Sequence, residues 1–313
     1  MKKTLLSFAI ALIAVSLMAQ STANLRLNLE KNKVYKFKST SEQTITQTVN
    51  GIQQTTGVNS NSTVSIKMVD ATPEMLIAEV RFDTIVTITN AMGKIATISS
   101  ASEGNIASQD ASEVMSFIMN RLSRNPLYTK LDYSGKVIEI VNAQMLSEMI
   151  LKDTALITGA TAPVIKMQIK NLTGIRALKS MVASLTNNLP GKEVAKGDSW
   201  DVTLVNNSGG MSLDIVTSYT LEEINDHTAE VSAESNIKPS DHAEPMQYSG
   251  ATIRYDDIKG LGKSNMVFDT LTGLIRESSG KIHLAGNLNV SVQTNNLQIP
   301  FEMDGESKVV ALP

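Results

Sequence analysis

The stretch VYKFKSTSEQTITQTVNGIQQTTGVNSNSTVSIKM, residues 34–68, decides the fold. Val34, Tyr35 and Phe37 lead into a run rich in Thr and Ser, with Ile45 and Val49, and the run breaks at Asn50-Gly51. That dipeptide tolerates the positive φ angles of a tight hairpin turn, so the flanks read as two long antiparallel strands. Thr, Ser and Gln at alternate positions predict a sheet with one wet face.

Working outward, Leu25, Leu27 and Leu29 alternate with polar residues and read as a further strand before the turn Glu30–Lys33. Met75 to Phe82 follows a turn at Asp70 to Pro73, and Ile85 and Thr87 mark another strand. The period then changes. Val114, Phe117, Ile118 and Leu122 fall at helical spacing within Ser102 to Arg124, and Pro126 stops that helix. Leu127 to Ile140 is a hairpin turning at Asp132-Tyr133-Ser134-Gly135. Two short helical faces follow: Met145, Leu146, Met149 and Ile150, then Ile175, Leu178, Met181, Val182 and Leu185.

Strands return after Leu189-Pro190-Gly191. Lys196-Gly197-Asp198-Ser199 is a tight turn entering Trp200, Val202 and Leu204; Asn206 to Gly210 is the next turn, and Met211 to Leu221 and Thr228 to Ala233 are strands. Gly260 and Gly262 read as a bulge or crowded turn. Strands over Leu274 to Glu277 and Ile282 to Leu284 follow, and Pro300 assigns the Leu297–Met303 alternation to a sheet edge.

The expected class is α+β and mostly β: long curved antiparallel sheet(s) with a central helical segment on the concave face. The expected division is 1–19 a signal peptide, 20–140 an N-terminal β region with one helix, 141–191 the helical segment, and 192–313 a C-terminal β region continuous with the first. Lys31 to Phe37 echoes Lys196 to Val202, and Asp132 to Val137 echoes Asp269 to Ile275. The echo reads as an internal duplication or as reuse of the same turn solutions.

Lys2 and Lys3, an apolar run over Leu5 to Met18, and small residues at Ser16 and Ala19 form the three-part pattern of a secretory leader cleaved after Ala19. The expected location is periplasmic or secreted, with no transmembrane segment after cleavage. The chain has no cysteine, which excludes disulfides, thiol chemistry and a lipidated N-terminal Cys. The formal charge of −3 falls to about −5 without Lys2 and Lys3, and no basic cluster offers a footprint for nucleic acid.

The chemistry-bearing residues are sparse. Of three histidines, His227 and His283 read as solvent-facing; Asp241, His242 and Glu244 are the best local metal candidate but are too adjacent to converge. Ser199 sits in a turn and not in a nucleophile elbow. The acids Glu74, Asp83, Asp214, Glu222 and Glu223 are scattered. Gly262-Lys263-Ser264 lacks the earlier glycine of a phosphate loop. A hydrolase using these acids is the least favoured alternative; no enzyme, metal or cofactor is expected.

Fifteen Met residues invite a different reading. Met side chains fill irregular apolar space, in cores and in promiscuous pockets alike. Met115, Met119, Met149 and Met181 are the candidate lining of a sheet–helix cavity for an apolar ligand or lipid. Tyr35, Phe37, Gly135, Gly197, Asp198, Trp200 and Gly273 are candidate scaffold residues. The alternative is a structural or surface-assembly protein of the cell envelope with a protein partner.

At Leu25 to Phe37, Leu189 to Trp200 and Tyr219 to Ile224 the chain resembles a family of uncharacterised secreted or lipoprotein-type proteins of Bacteroidetes. The shared features are a leucine-rich opening with Tyr-x-Phe and a later Leu-Pro…Gly-Asp-Ser-Trp segment. The family is a domain of unknown function, so it implies no site residues. More distantly, the expected architecture is similar to the periplasmic lipoprotein carriers, a likeness of fold alone.

Overall fold

The computed structural model describes residues 22–313 except 209, 210, 242, 249, 293 and 294. The expected leader and His242 lie outside the described residues. In chain order the first half holds β1 (Thr22–Leu25), β2 (Val34–Val49), β3 (Ile52–Ala71), β4 (Met75–Ala91), β5 (Lys94–Ser99), helix α1 (Ala111–Arg124), β6 (Leu127–Asp132) and β7 (Val137–Ile140). Next come α2 (Ala143–Asp153), a 3-10 turn at Thr154–Leu156, α3 (Ala162–Thr173) and α4 (Ile175–Thr186). The second half holds β8 (Lys192–Ala195), β9 (Ser199–Ser208), β10 (Met211–Asn225), β11 (Thr228–Pro239), β12 (Met246–Tyr248), β13 (Ala251–Arg254), β14 (Lys259–Asp269), β15 (Ile275–Val292) and β16 (Asn295–Leu312).

The fold is α+β, dominated by one antiparallel sheet with the helices packed on it. Fourteen strands join the sheet, with a main path β7-β6-β4-β3-β2-β16-β15-β14-β11-β10-β9. The first long strand and the last pair at its centre, Lys36 to Gln47 against Phe301 to Leu312. Each half is a meander running outward from that seam. The two Asp-to-Gly turns join β6 to β7, at one end of the path, and β14 to β15, beside the seam strand β16.

The decisive hairpin turns at Asn50 (φ 52°) and Gly51 (φ 78°), the positive pair that a tight hairpin requires. Met75 to Ala91 is a single strand. The expected break falls at Asp83, the extra residue of a β-bulge where the register passes from Thr63↔Thr84 to Val64↔Phe82. A bulge flips the inward phase, which reads in sequence as two strands. In the same way Ile275 to Val292 is one strand. Gly260 and Gly262 lie in the regular ladder of β14, with no turn or bulge at either; a Cβ on Gly260 would meet the Leu284 side chain at 2.5 Å.

Pro300 lies in the centre of the sheet, not at an edge. Its nitrogen needs no partner because the β2 ladder stops at Phe301↔Gln47, and above that point β2 and β16 part. Helix α1 starts beside Ser112 and Glu113 and ends before Pro126: Asp110 accepts a hydrogen bond from Ser112 N (2.8 Å) and caps it. Helix α3 lies inside the expected helical segment 141–191, between the two faces read there; Pro163 occupies its first turn, where a missing N–H costs nothing.

Helix α4 packs against both β7 and β9, the two ends of the eleven-strand path. At about 4.8 Å between strands, a flat path would span close to 50 Å. A helix of 12 residues is only about 18 Å long. The sheet is therefore curled so that one helix reaches both edges. Ser180 Oγ donates to Val205 O (2.9 Å) on β9, and Thr186 Oγ1 donates to Gly135 O (2.6 Å) in the β6–β7 turn.

The N-terminal segment ties the helical end together. β1 pairs with β8, and Leu27 to Leu29 leave the ladder rather than continuing as a strand. Leu27 N donates to Tyr133 O (2.8 Å) and Asn28 N to Thr272 O (2.9 Å), so the segment bridges the two Asp-to-Gly turns. Leu25, Leu27 and Leu29 are all buried in the main core with the helices. A smaller core at the opposite end of the strands gathers Leu213, Ile237, Tyr255, Ile258, Leu284, Leu288 and Phe301.

Candidate functional site

Between the two cores the inner face of the sheet changes character. Ala233, Ser264, Gly280, Ser307, Ser41, Ser60 and Thr87 sit directly opposite one another across β11, β14, β15, β16, β2, β3 and β4. Residues opposite one another share a face, so the seven form a crosswise belt of small, mostly hydroxyl-bearing residues. The hydroxyls of Ser60 and Thr87 pair at 3.0 Å, and those of Thr217 and Ser235 in the next row at 2.8 Å.

Small side chains leave space. A cavity of about 260 Å³ lies between the C-terminal end of α4 and this part of the sheet. Toward the helical end its walls are Leu27, Phe37, Val202, Leu204, Tyr219, Met266, Leu274 and Val309; toward the belt they are Thr217, Ser264, Gly280 and Ser307. Residues Ala183 to Asn188 of α4 and the turn after it close one side. No Asp, Glu, Lys, Arg or His side chain is among the lining residues. A second cavity of about 290 Å³ shares Ile215, Ser264, Gly280 and Ser307 with the first and continues it along the belt; Lys263, Lys281 and Glu306 also border it, with Lys263 paired to Glu234 and Lys281 to Glu306.

Tyr219 stacks on Trp200, with ring centroids 5.5 Å apart, and Trp200 Nε1 donates to Asn188 O (3.2 Å). Burial pushes the Tyr219 phenol up to about 12, only partly offset by its hydrogen bond with Thr217. The cavity wall is thus uncharged over the whole physiological range.

The expected scaffold residues occupy defined places. Phe37 lines the cavity, Trp200 buttresses it, and Tyr35 packs beside the main core. Gly135, Gly197 and Gly273 all adopt positive φ, and Asp198 Oδ2 accepts from Ala195 N (2.9 Å), closing the turn at Gly197. The four methionines are elsewhere. Met119 is buried in the main core, Met115, Met149 and Met181 pack partly buried against it, and none lines either cavity. The methionine that does line the cavity is Met266.

The belt was not anticipated. Its signal lies in alternation: Gly262, Ser264, Met266 and Phe268, or Met303, Gly305, Ser307 and Val309, each pass from small to apolar along one face. Which strands would place these runs side by side is not written locally.

The residues weighed for catalysis stay dispersed. Ser199 is exposed, its hydroxyl 3.0 Å from that of Thr220. Asp83 accepts from Ser65, Asp214 from Ser240 and Glu222 from Ser232. Gly262-Lys263-Ser264 is mid-strand. Among the described residues one group of His, Asp and Glu side chains draws together, His283, Asp304 and Glu302, on the outer face. His283 Nδ1 is 2.9 Å from Asp304 and 4.0 Å from Glu302, and all three are exposed.

No described helix is long and apolar enough to cross a membrane. No curated protein matches this chain. Among solved structures, lipovitellin, in a study of its lipid–protein interactions, aligns over 91% of this chain at 10% identity with a TM-score of 0.49. The chain spans 26% of that structure's length. An outer membrane channel from Pseudomonas putida F1 aligns over 91% of this chain and 97% of its own at 8% identity, with a TM-score of 0.26. By sequence, the profile of a family of unknown function (DUF6263) matches residues 73–275, more than half of the chain, and the chain belongs to that family.

Proposed function

We propose that this is a non-enzymatic protein, exported from the cytoplasm, that holds a small apolar ligand between helix α4 and the inner face of its sheet. One observation carries the reading: a cavity walled by Phe37, Leu27, Met266, Leu274 and Val309 is left open between helix α4 and the sheet. Protein interiors are normally close-packed, and a gap of this size forfeits packing energy unless something fills it. The volume suits roughly nine water-sized units, and the second cavity that continues it adds room for a medium-chain ligand. The leader-like N-terminus of the sequence supports export to the periplasm or beyond.

Native mass spectrometry of protein purified from its own compartment, followed by organic extraction, tests the reading. A bound adduct of defined mass is expected. A bare protein that also takes up no added medium-chain probe overturns it.

A second reading has its own support. Ile52, Met92, Ile95 and Leu297 are exposed at hairpin ends that the strand directions place at the same end of the sheet, opposite the helices. Such apolar tips suit contact with an envelope partner. Replacing Ile52, Met92 and Ile95 by Ser would then abolish retention of the protein in the envelope fraction while leaving ligand uptake intact.

A further inference from the structure

We infer that the ligand of this cavity is an amphiphile with an uncharged, hydrogen-bonding head, in the class of medium-chain alcohols, and that charged amphiphiles are rejected. The inference rests on the reading of the cavity as a ligand site and adds which chemistry that site accepts.

Three features of the wall carry it. The first is its polarity gradient: Phe37, Leu27 and Met266 form an apolar end, while Ser264 and Ser307 bring hydroxyls to the other, beside Thr217, whose hydroxyl is bonded to Ser235. A ligand that is apolar throughout would strip water from those hydroxyls without replacing it. A ligand with a hydroxyl at one end satisfies them, since Ser and Thr both donate and accept.

The second is the absence of any ionisable partner other than Tyr219, which burial keeps neutral. A carboxylate or ammonium brought here would lie partly desolvated with no opposite charge, an arrangement that proteins avoid by pairing or neutralising the group.

The third is helix α4. Its C-terminal turn and the residues after it, Ala183 to Asn188, border the cavity. The carbonyl end of a helix carries partial negative charge, so it accepts hydrogen bonds from a hydroxyl and repels an anion. It would favour a cation electrostatically, yet no carboxylate stands in the wall to complete the pairing.

The chain contains one tryptophan, Trp200, which stacks on the cavity-lining Tyr219. Its fluorescence therefore reports entry of a ligand. The experiment titrates the purified full-length protein, stripped by organic extraction and refolded, with 1-decanol, decanoic acid and decylamine at pH 7.5. Decanol is expected to bind at least about ten-fold more tightly than either charged analogue, the equivalent of about 1.4 kcal/mol. Decanoic acid is expected to gain affinity as the pH falls toward 4.5 and its head becomes neutral, while decanol does not change. The double variant Ser264→Ala, Ser307→Ala is expected to lose most of the preference for decanol while keeping its far-ultraviolet circular dichroism. Equal or tighter binding of the acid or the amine at pH 7.5 overturns the inference and leaves the cavity reading standing. Failure of all three to bind overturns the cavity reading and this inference with it.

Discussion

Replacing Gly135 by Ala tests whether helix α4 is held by the β6–β7 turn. Gly135 has φ 85°, and a Cβ there would lie 1.8 Å from Thr186 O at the end of α4. Reaching the 3.4 Å of ordinary contact requires the turn and the helix to separate by about 1.6 Å. That movement breaks the Thr186 Oγ1 to Gly135 O hydrogen bond. The left-handed conformation costs an alanine about 1–2 kcal/mol. The lost hydrogen bond costs about 1 kcal/mol, and partial exposure of the apolar face of α4 roughly another 1 kcal/mol. The total is about 3–4 kcal/mol. Gly51 provides the control: its φ is 78°, but nothing lies within 4 Å of the added Cβ, so Gly51→Ala costs only the conformational share. The difference, about 2 kcal/mol, is read as a urea midpoint shift of about 0.7 M for a slope near 3 kcal/mol per M. Equal midpoints for the two variants, within about 0.2 M, would refute the claim that this turn anchors the helix.

Other perturbations follow from single groups. Burial raises the carboxyl of Asp269, but the Arg276 guanidinium (2.7 Å) and the Thr272 donors outweigh it and hold it below the usual range. Its contribution is therefore present above the unfolded carboxyl range and is lost as pH falls through the depressed folded value. Asp269→Asn should cost about 1 kcal/mol at pH 7, allowing for the half-exposed Arg276, and flatten the acid limb of a stability–pH curve; an unchanged acid limb would show the pair to be idle. Tyr219, raised to about 12 by burial, contributes stability that is full below the unfolded phenol value near 10 and declines as pH rises through 12. A spectrophotometric titration should show one phenol ionising late, and Tyr219→Phe should remove that step alone. The Thr129 hydroxyl is buried without a hydrogen-bond partner among the described residues. Thr129→Val should raise stability by about 1 kcal/mol, measured by thermal melting, and a loss of that size would mean the hydroxyl is satisfied.

The elements most legible in the sequence were those whose signal is local. Asn50-Gly51 announces its own turn, and Val114, Ile118 and Leu122 share a helix face whatever lies beyond them. Met92-Gly93 turns the β4–β5 hairpin with the same pair of positive φ angles, yet Met carries no turn preference, so that hairpin went unread. Bulges misled for a related reason: Asp83 shifts the phase of alternation without ending the strand. The belt needed knowledge of register. Ser41 and Ser307 are direct neighbours 266 positions apart, and no window of sequence contains both. The methionines drew attention by number alone, whereas the wall of the cavity is built from ordinary Leu, Phe, Ser and Thr.

The seam between β2 and β16 bears on how this protein comes to be folded. Its pairs join Lys36 to Leu312, nearly the whole length of the described chain. Closing a loop that long costs little more entropy than closing one half as long, but it must wait for the last strand to be delivered. Each meander can assemble from neighbouring strands first, and the central ladder is then a docking step between two preformed halves. Until β16 arrives, β2 offers an unpaired edge of 16 residues. A chain interrupted or clipped within its final strand would keep most of its internal contacts and still expose that edge, and its characteristic failure would be strand-to-strand aggregation rather than unfolding.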